Sequence, residues 1–163
     1  RFDSLSNKVT DNSQEVRGRM IGYLSGKSRV DRKKWKLTPS YRQDLIRFAI
    51  DGNRQTFWDS KTAYYLPQEL VVDTGEIKKI SLVELDSYNN EDQNLVGYEM
   101  SLSDDGKSWK SVFYSKVHPP DSRGFNRLYF TPQNARFVRI EQLGTHKFAS
   151  WVINELNVYE SSE

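Results

Sequence analysis

Cysteine is absent from this chain of 163 residues, and histidine occurs only twice. Without cysteine the chain forms no disulfide, offers no thiolate metal ligand and carries no cysteine nucleophile. Two histidines are also poor material for a catalytic zinc centre. The domain must therefore be stabilised by its core or by an oxygen-bound ion.

Long hydrophobic runs are missing as well. No apolar segment approaches the roughly 18 residues that a membrane helix needs, so we predict no membrane insertion. No hydrophobic segment followed by a small-residue cleavage site opens the chain. The first residue is Arg1, and we expect the sequence to be a piece of a longer protein.

Common catalytic motifs do not occur in the sequence. We find no H-E-x-x-H, no P-loop and no G-x-G-x-x-G. The acidic residues are scattered over predicted loops, whereas acid–base catalysis and glycoside hydrolysis need a positioned pair. We therefore predict that this domain is not an enzyme.

Charge is unevenly distributed along the chain. Residues 1–47 hold 12 Lys/Arg and 5 Asp/Glu, whereas residues 48–163 hold 12 and 17. A basic leader raises the hypothesis of nucleic-acid or anionic-lipid binding. We favour a solvated segment and predict no nucleic-acid binding. Residues 1–33 are interpreted as a linker or the tail of an upstream domain, and residues 34–160 as the folded domain.

Short apolar runs separated by turn residues fill the chain after about Lys34. "QELVVDTGE" ends in a Thr-Gly turn before a second strand in "KKISLVEL", and "NRLYFTP" and "ARFVRIEQL" form two further runs. The sequence from Asp104 to Lys107 is a strong hairpin signal. Strands at this spacing, with no long helical pattern between them, predict an all-β sandwich. Its core is expected to hold Trp58, Trp109 and Trp151.

The segment "DGNRQT" admits two interpretations. It offers the carboxylate of Asp51, the amide of Asn53 and the hydroxyl and carbonyl of Thr56. Gly52 allows a bend tight enough for these oxygens to converge, and oxygen ligands of all these kinds suit Ca²⁺. The alternative is an Asx turn in which Asp51 bonds its own backbone. These residues alone favour the turn.

Several blocks of sequence together carry a family resemblance. They are "WKLTPS", "FAIDGNRQTFWDS", "PQELVVDTGEIKKISLVEL", "GYEMSLSDDGKSWKSV", "RFVRIEQL" and "SWVINELNVYE". In order and spacing they resemble the F5/8 type C (discoidin-like) domain, and in particular its bacterial branch, the family 32 carbohydrate-binding modules. The resemblance covers residues 34–160. It implies a jelly-roll-like, galactose-binding-domain-like sandwich of two antiparallel β-sheets with ligand-binding loops at one end.

The resemblance also implies a structural calcium ion that joins the start of the domain to its end. The implied ligands are side chains of Asp51, Asn53, Thr56 and Glu155 and the backbone carbonyls of Phe48 and Asn154. Two carboxylates on one divalent ion give a neutral site. Because the unfolded chain has no such site, binding energy becomes folding energy, and chelation is expected to lower the melting temperature.

A sugar site of this family combines an aromatic side chain, which stacks on the ring, with planar polar groups that bind hydroxyls. The predicted ligand-contact residues are Tyr64, Tyr65, Tyr88, Asn89, Asn90, Asn94, Arg123, His146 and Phe148. The chain departs from the galactose-binding pattern in two places. The loop 86–94 lacks the Arg of those members, and Asp59 stands where they often carry His.

We therefore predict a non-catalytic carbohydrate-binding module of a larger secreted or surface protein. Its expected partners are a glycan or polysaccharide and a catalytic domain upstream in the same chain. It is expected to be monomeric and to work outside the cell, at the cell surface or in the periplasm. The alternative is a protein–protein or structural module without a sugar ligand.

Overall fold

The computed structural model describes residues 26–63, 67–87, 97–115, 125–144 and 149–162. A 3₁₀ helix, Gln43–Ala49, lies between the second and third of the nine strands in these ranges. The strands are β1 (Lys27–Arg29), β2 (Lys36–Pro39), β3 (Trp58–Ala63), β4 (Gln68–Asp86), β5 (Tyr98–Ser103), β6 (Lys110–Ser115), β7 (Phe125–Gln142), β8 (Ser150–Ile153) and β9 (Glu155–Ser161). Within the described ranges, no helix has the length and hydrophobicity to span a bilayer.

The strands form two antiparallel sheets. The larger sheet has seven strands in the order β1-β9-β4-β7-β5-β6, with β2 added to β4. The smaller sheet contains β3 and β8. The prediction of an all-β antiparallel sandwich is confirmed.

β4 and β7 are longer than the sequence pattern suggested. Each merges two predicted runs into one strand, and the register between them shifts from Asp73 to Lys78. At this shift Gly75 has φ 91°, and the hydroxyl of Thr74 lies 2.8 Å from the carbonyl oxygen of Arg136. The Thr-Gly turn is therefore a bulge that bends β4 without reversing the chain, and the prediction of separate strands was wrong here.

The hairpin predicted at residues 104–107 is confirmed as the connection between β5 and β6. Asp105 Oδ1 accepts the backbone N–H groups of Lys107 and Ser108 at 2.8 and 2.9 Å. These hydrogen bonds favour the ionised carboxylate, so they lower the pKa of Asp105. Gly106 has φ 76° and provides the left-handed residue that the turn needs.

Aromatic residues centre the core. The rings of Trp58 and Trp151 lie edge to face, with centroids 5.4 Å apart, and Tyr98 contacts Trp151 at 6.1 Å. Trp58 Nε1 donates to the carbonyls of Tyr41 and Arg42, so the indole is satisfied although it is buried. The expectation for Trp109 was wrong: it is half-buried, and the guanidinium of Arg139 lies 4.5 Å from its ring centroid.

The sandwich begins before the predicted boundary at residue 34. β1 pairs with β9 from Lys27 to Arg29, and the N–H of Val30 donates to the carbonyl of Val158 at 2.8 Å. The side chain of Val30 is buried in the core. Residues 27–33 therefore belong to the domain. Charge and polarity concealed this, because an edge strand of three residues carries almost no hydrophobic periodicity.

Val30→Ala tests this boundary in the intact chain. Removing two methyl groups from the core should lower the free energy of unfolding by about 2 kcal/mol. Urea denaturation at neutral pH measures the change. Ile77→Ala, which truncates an exposed side chain, is the control and should change stability by less than about 0.5 kcal/mol. Equal, small effects of the two substitutions would mean that residues 27–33 are a linker after all.

A bidentate ion pair spans the bend in β4. Arg136 Nε and Nη2 donate to the two carboxylate oxygens of Asp73 at 2.7 and 3.0 Å, and the N–H of Gly75 donates to Asp73 Oδ1 at 2.8 Å. Arg136, and then the Gly75 N–H, hold the pKa of Asp73 below its usual value. The carboxylate must therefore be ionised for the pair to stabilise the bend.

Asp73→Asn is expected to lower the stability by about 1 kcal/mol at about pH 7, because the pair lies partly in solvent. The folded protein binds fewer protons than the unfolded chain between the lowered pKa of Asp73 and its ordinary value. The stabilisation is thus present above the unfolded pKa and disappears as the pH falls through the folded pKa. Urea denaturation at about pH 7 and about pH 2.5 should show the difference between wild type and variant shrinking in acid. The exposed Asp104 provides the control substitution, Asp104→Asn, and a difference that grows in acid would contradict this account.

Candidate functional site

Four strands meet in one row at one end of the sandwich. Gln142 on β7 pairs with Gln68 on β4 and with Tyr98 on β5, and Tyr98 pairs in turn with Ser115 on β6. We call these four residues the loop-end row. Three of its four side chains lie in the protein interior, namely those of Tyr98, Gln68 and Gln142.

β3 and β8 are tied to the same end. The side-chain amide of Gln68 donates to the carbonyls of Thr62 and Ala63 at 2.7 and 3.1 Å, and Ala63 pairs with Ser150 on β8. The backbone also joins the neighbouring strands beyond the row, where the N–H of Leu143 donates to the carbonyl of Gly97 at 2.9 Å. The two sheets therefore end together.

The predicted ligand loops adjoin this end. The loop-end row lies next to one end of each of the segments 64–66, 88–96, 116–124 and 145–148. Predicted contact residues fall within these segments and therefore outside the described residues: Tyr64, Tyr65, Tyr88, Asn89, Asn90, Asn94, Arg123, His146 and Phe148. The framework thus places one end of each loop beside the same row, as expected for a rigid scaffold that presents functional loops.

The side chain of Asp59 forms hydrogen bonds at the base of the loop end of the sandwich. Its Oδ1 accepts the hydroxyl of Ser150 at 2.6 Å and the N–H of Lys61 at 2.8 Å, and its Oδ2 lies 3.3 Å from the Lys61 ammonium. The side chain is largely buried. Asp59 therefore links β3 to β8, a role that the sequence did not indicate.

Asp59→Ala should lower the free energy of unfolding by about 2 kcal/mol, because it leaves the Ser150 hydroxyl and the Lys61 N–H without their charged acceptor. Thermal and urea denaturation measure the loss. Lys61→Met is the matched control: it removes the exposed ammonium and keeps the hydrogen bonds, so its effect should stay below about 0.5 kcal/mol. A destabilisation by Lys61→Met as large as that of Asp59→Ala would contradict this role.

Both carboxylate oxygens of Asp51 are hydrogen-bonded within the loop 51–56. Asp51 Oδ1 accepts the N–H of Asn53 at 2.9 Å, which is the predicted Asx turn. Its other oxygen, Oδ2, lies 2.5 Å from the hydroxyl oxygen of Thr56. That hydroxyl is also 2.9 Å from the carbonyl oxygen of Asn53. Three oxygens therefore converge on one side of the loop.

The side chain of Asn53 does not join this group of oxygens. Its amide oxygen accepts the N–H of Gln55 at 2.9 Å and stabilises the turn. The backbone carbonyl of Asn53, and not the side chain implied by the resemblance, lies beside the Thr56 hydroxyl. Sequence reasoning could not distinguish the two oxygens, because the choice depends on the backbone conformation after Gly52, which has φ 83°.

Glu155 lies beside this loop and is fully engaged. Its Oε1 accepts Arg32 Nη1 at 2.7 Å, and its Oε2 accepts the N–H of Gly52 at 3.0 Å. Arg32 Nη1 also donates to the carbonyl of Leu156 at 3.2 Å. Burial raises the pKa of Glu155, and the hydrogen bond from Arg32 counteracts that shift. Arg32 is a residue of this site that sequence reasoning missed, since it lies in the segment interpreted as a linker.

The residues implied for calcium thus divide into two groups. The oxygens of Asp51, Asn53 and Thr56 fit an oxygen-seeking cation, whereas Glu155 in this arrangement already binds a guanidinium. Among the described residues, no group of three or more His, Cys, Asp or Glu side chains lies together as a metal centre. A cation at this loop would rely on hydroxyl and carbonyl oxygens beside one carboxylate oxygen, Asp51 Oδ2, which already accepts the Thr56 hydroxyl.

Arg54 and Asn154 connect the loop 51–56 to the end of β4. Arg54 forms a bidentate ion pair with Asp86 at the end of β4, and the side-chain amide of Asn154 donates to the carbonyl of Arg54 at 2.7 Å. The N–H of Asn154 donates to the carbonyl of Asp86 at 2.7 Å.

Asn154 was predicted as a carbonyl ligand, and its amide and N–H join the loop to β4. The predicted carbonyl ligand Phe48 lies in the 3₁₀ helix, with Arg47 stacked 4.4 Å from its ring centroid.

The fold and these two features define a class: an antiparallel β-sandwich in which four strands meet in one row at one end and the loop 51–56 lies beside the last strand. The F5/8 type C domain family matches residues 31–155. The chain belongs to this family, as the sequence blocks predicted. A search of curated proteins finds no significant match.

Solved structures with the same fold include carbohydrate-binding modules. The CpGH89CBM32-5 module from Clostridium perfringens, in complex with GalNAc-β-1,3-galactose, is 25% identical, with a TM-score of 0.68 over 80% of this chain and 99% of that one. The CBM32 of AlyQ, in complex with 4,5-unsaturated mannuronic acid, is also 25% identical, with a TM-score of 0.65 over 80% and 97%. A truncated AlyQ with CBM32 and alginate lyase domains is 24% identical, with a TM-score of 0.67 over 84% of this chain and 34% of that one.

Proposed function

We propose that this domain is a non-catalytic carbohydrate-binding module that binds glycans through the loops at the loop-end row. The observation that supports this most is the shared row of Gln68, Gln142, Tyr98 and Ser115, which gathers the bases of the predicted ligand loops. Membership of the F5/8 type C family and the sugar complexes of two relatives point to the same function.

Binding in such a site rests on two kinds of contact. An aromatic ring covers the apolar face of a sugar, for which Tyr88 and Phe148 are candidates, and planar polar groups bind the hydroxyls. Arg123, His146 and the asparagines of loop 86–94 are candidates for the second role. A shallow site on a rigid framework buries little of the ligand, so the affinity for one sugar unit is expected to be weak.

The mechanism divides the work between framework and loops. The sheet ends fix where each loop starts, so little ordering is needed when a ligand binds. The hydrogen bond from the Ser150 hydroxyl to Asp59 links β3 to β8 at the loop end, where their register shifts. Specificity then depends on the side chains of the loops, which differ from the galactose-binding pattern in loop 86–94.

We also propose that the loop 51–56 holds a calcium ion through Asp51 Oδ2, the Asn53 carbonyl and the Thr56 hydroxyl. When bound, the ion would neutralise the carboxylate and stabilise the loop against the strand end. This arrangement lies next to β9 and the Arg54–Asp86 pair. Its role is to stabilise the fold; it takes no part in ligand contact.

The setting of the module follows from its function. We propose that it belongs to a larger secreted or surface protein and acts outside the cell or in the periplasm. Attachment to a catalytic domain would hold that enzyme at its polysaccharide and raise its effective concentration there. The truncated AlyQ, which carries CBM32 and alginate lyase domains, is an example of that organisation. The domain itself is proposed to be monomeric.

One observation favours a second function, that of a protein–protein or structural module. At the position where galactose-binding members often carry His, the carboxylate of Asp59 is bonded to Ser150 and Lys61 inside the domain. A group used in this way is not available to a sugar hydroxyl. The experiment below distinguishes the two functions.

A glycan array with calcium present should give reproducible binding, and it should include neutral and acidic sugars because relatives bind both. Tyr88→Ala and His146→Ala should each reduce binding by about tenfold or more, since each loses a stacking or hydrogen-bonding contact. Trp109→Ala is the control, because Trp109 follows the turn at the opposite end of the β5–β6 hairpin from Tyr98. It should leave binding unchanged.

Two outcomes would contradict a glycan function. One is an array without reproducible binding by the folded protein. The other is an equal loss of binding in Trp109→Ala and in the loop variants, which would place the contact outside the loop end. Either result would favour the protein–protein or structural module.

A further inference from the structure

The corner between loop 51–56 and β9 already contains a cation, the guanidinium of Arg32. It lies 2.7 Å from Glu155 Oε1 and 3.2 Å from the carbonyl of Leu156. Its Nη2 is also within 4.0 Å of the position that a Cβ on Gly52 would take. The guanidinium therefore binds β9 directly and lies near the loop, to which it is joined through Glu155.

This arrangement leaves no oxygen of Glu155 without a donor. Oε1 binds Arg32 and Oε2 accepts the N–H of Gly52 at 3.0 Å. The side chains of Arg32 and Glu155 are mostly buried, with 17% and 9% exposed. A buried charge that loses its partner is strongly destabilising, so Glu155 keeps Arg32 unless another cation replaces it.

The guanidinium of Arg32 changes the net charge of this corner. Asp51 and Glu155 alone would be balanced by one divalent ion. With Arg32 present, the same ion leaves an uncompensated positive charge next to the guanidinium, and like charges at close range repel. A divalent ion that is coordinated by Glu155 must therefore displace Arg32. An ion that binds only to the oxygens of the loop is repelled by the guanidinium and binds more weakly.

We propose that the guanidinium of Arg32 takes the place of a metal ion in this corner. By binding Glu155 it holds loop 51–56 against β9 without metal, and it weakens the binding of a divalent cation at that loop. The domain then keeps its loop in place when calcium is scarce. This inference builds on the calcium loop of the proposed function and is independent of glycan binding, because its test uses no sugar.

The test measures Ca²⁺ binding to the full chain by isothermal titration calorimetry and the melting temperature in EGTA and in CaCl₂. Arg32→Met removes the guanidinium and keeps much of the side-chain volume. We expect it to melt lower than wild type in EGTA, and to bind Ca²⁺ about tenfold or more tightly, equivalent to about 1.4 kcal/mol. CaCl₂ should therefore raise its melting temperature more than that of wild type.

Two variants control the interpretation. Lys33→Met changes the net charge equally at the next residue, which is exposed, and its Ca²⁺ affinity should stay within about twofold of wild type. Asp51→Asn, added to Arg32→Met, should abolish the gained affinity, because the freed site depends on that carboxylate.

Three results would overturn the proposal. Arg32→Met could bind Ca²⁺ no more tightly than wild type, which includes the absence of binding in both. Lys33→Met could tighten binding as much as Arg32→Met, which would reveal a general charge effect. If Arg32→Met is unfolded in EGTA, folding on addition of CaCl₂ supports the proposal, and failure to fold at a CaCl₂ concentration where Lys33→Met is folded overturns it.

Discussion

The ion pair between Arg32 and Glu155 joins the first residues of the described domain to its last strand. The two side chains are 123 positions apart in the sequence, and the pairing of β1 with β9 makes the same closure through the backbone. An antiparallel sandwich depends on such contacts, because its strands bury their faces only against distant parts of the chain. The loop 51–56 is fastened at this junction through the N–H of Gly52.

In the proposed function, stability and recognition depend on different parts of the molecule. The corner of Arg32, Glu155 and loop 51–56 lies beside β9, whereas the loop-end row lies next to one end of each segment in which ligand contacts are proposed. A rigid framework that presents variable loops allows the ligand to change while the fold is kept. The burial of Asp59 at the base of the loop end shows the same division, since a polar group near the proposed ligand site links the paired strands β3 and β8.

Much of the fold was predictable because it depends on local pattern. Alternating apolar residues and the turn at Asp105-Gly106 predicted the β5–β6 hairpin correctly. Thr74-Gly75 was also recognised as a point where the chain bends, but the bend proved to be a bulge within β4. A glycine with positive φ suits a turn and a bulge alike. Only the hydrogen bonds of the neighbouring strand β7 decide which one forms.

The sequence by itself determined the class of fold, the family and the loop that carries Asp51 and Thr56, because spacing and residue type suffice for these. Only the tertiary structure decided that the carbonyl of Asn53 faces Thr56 and that Arg32 binds Glu155. The physical reason is that these contacts join backbone and side-chain atoms whose positions depend on how distant strands pair. The sequence around Arg32 is polar and basic and gives no local indication of its partner. The role of Arg32 beside Glu155 is therefore visible only in the tertiary structure.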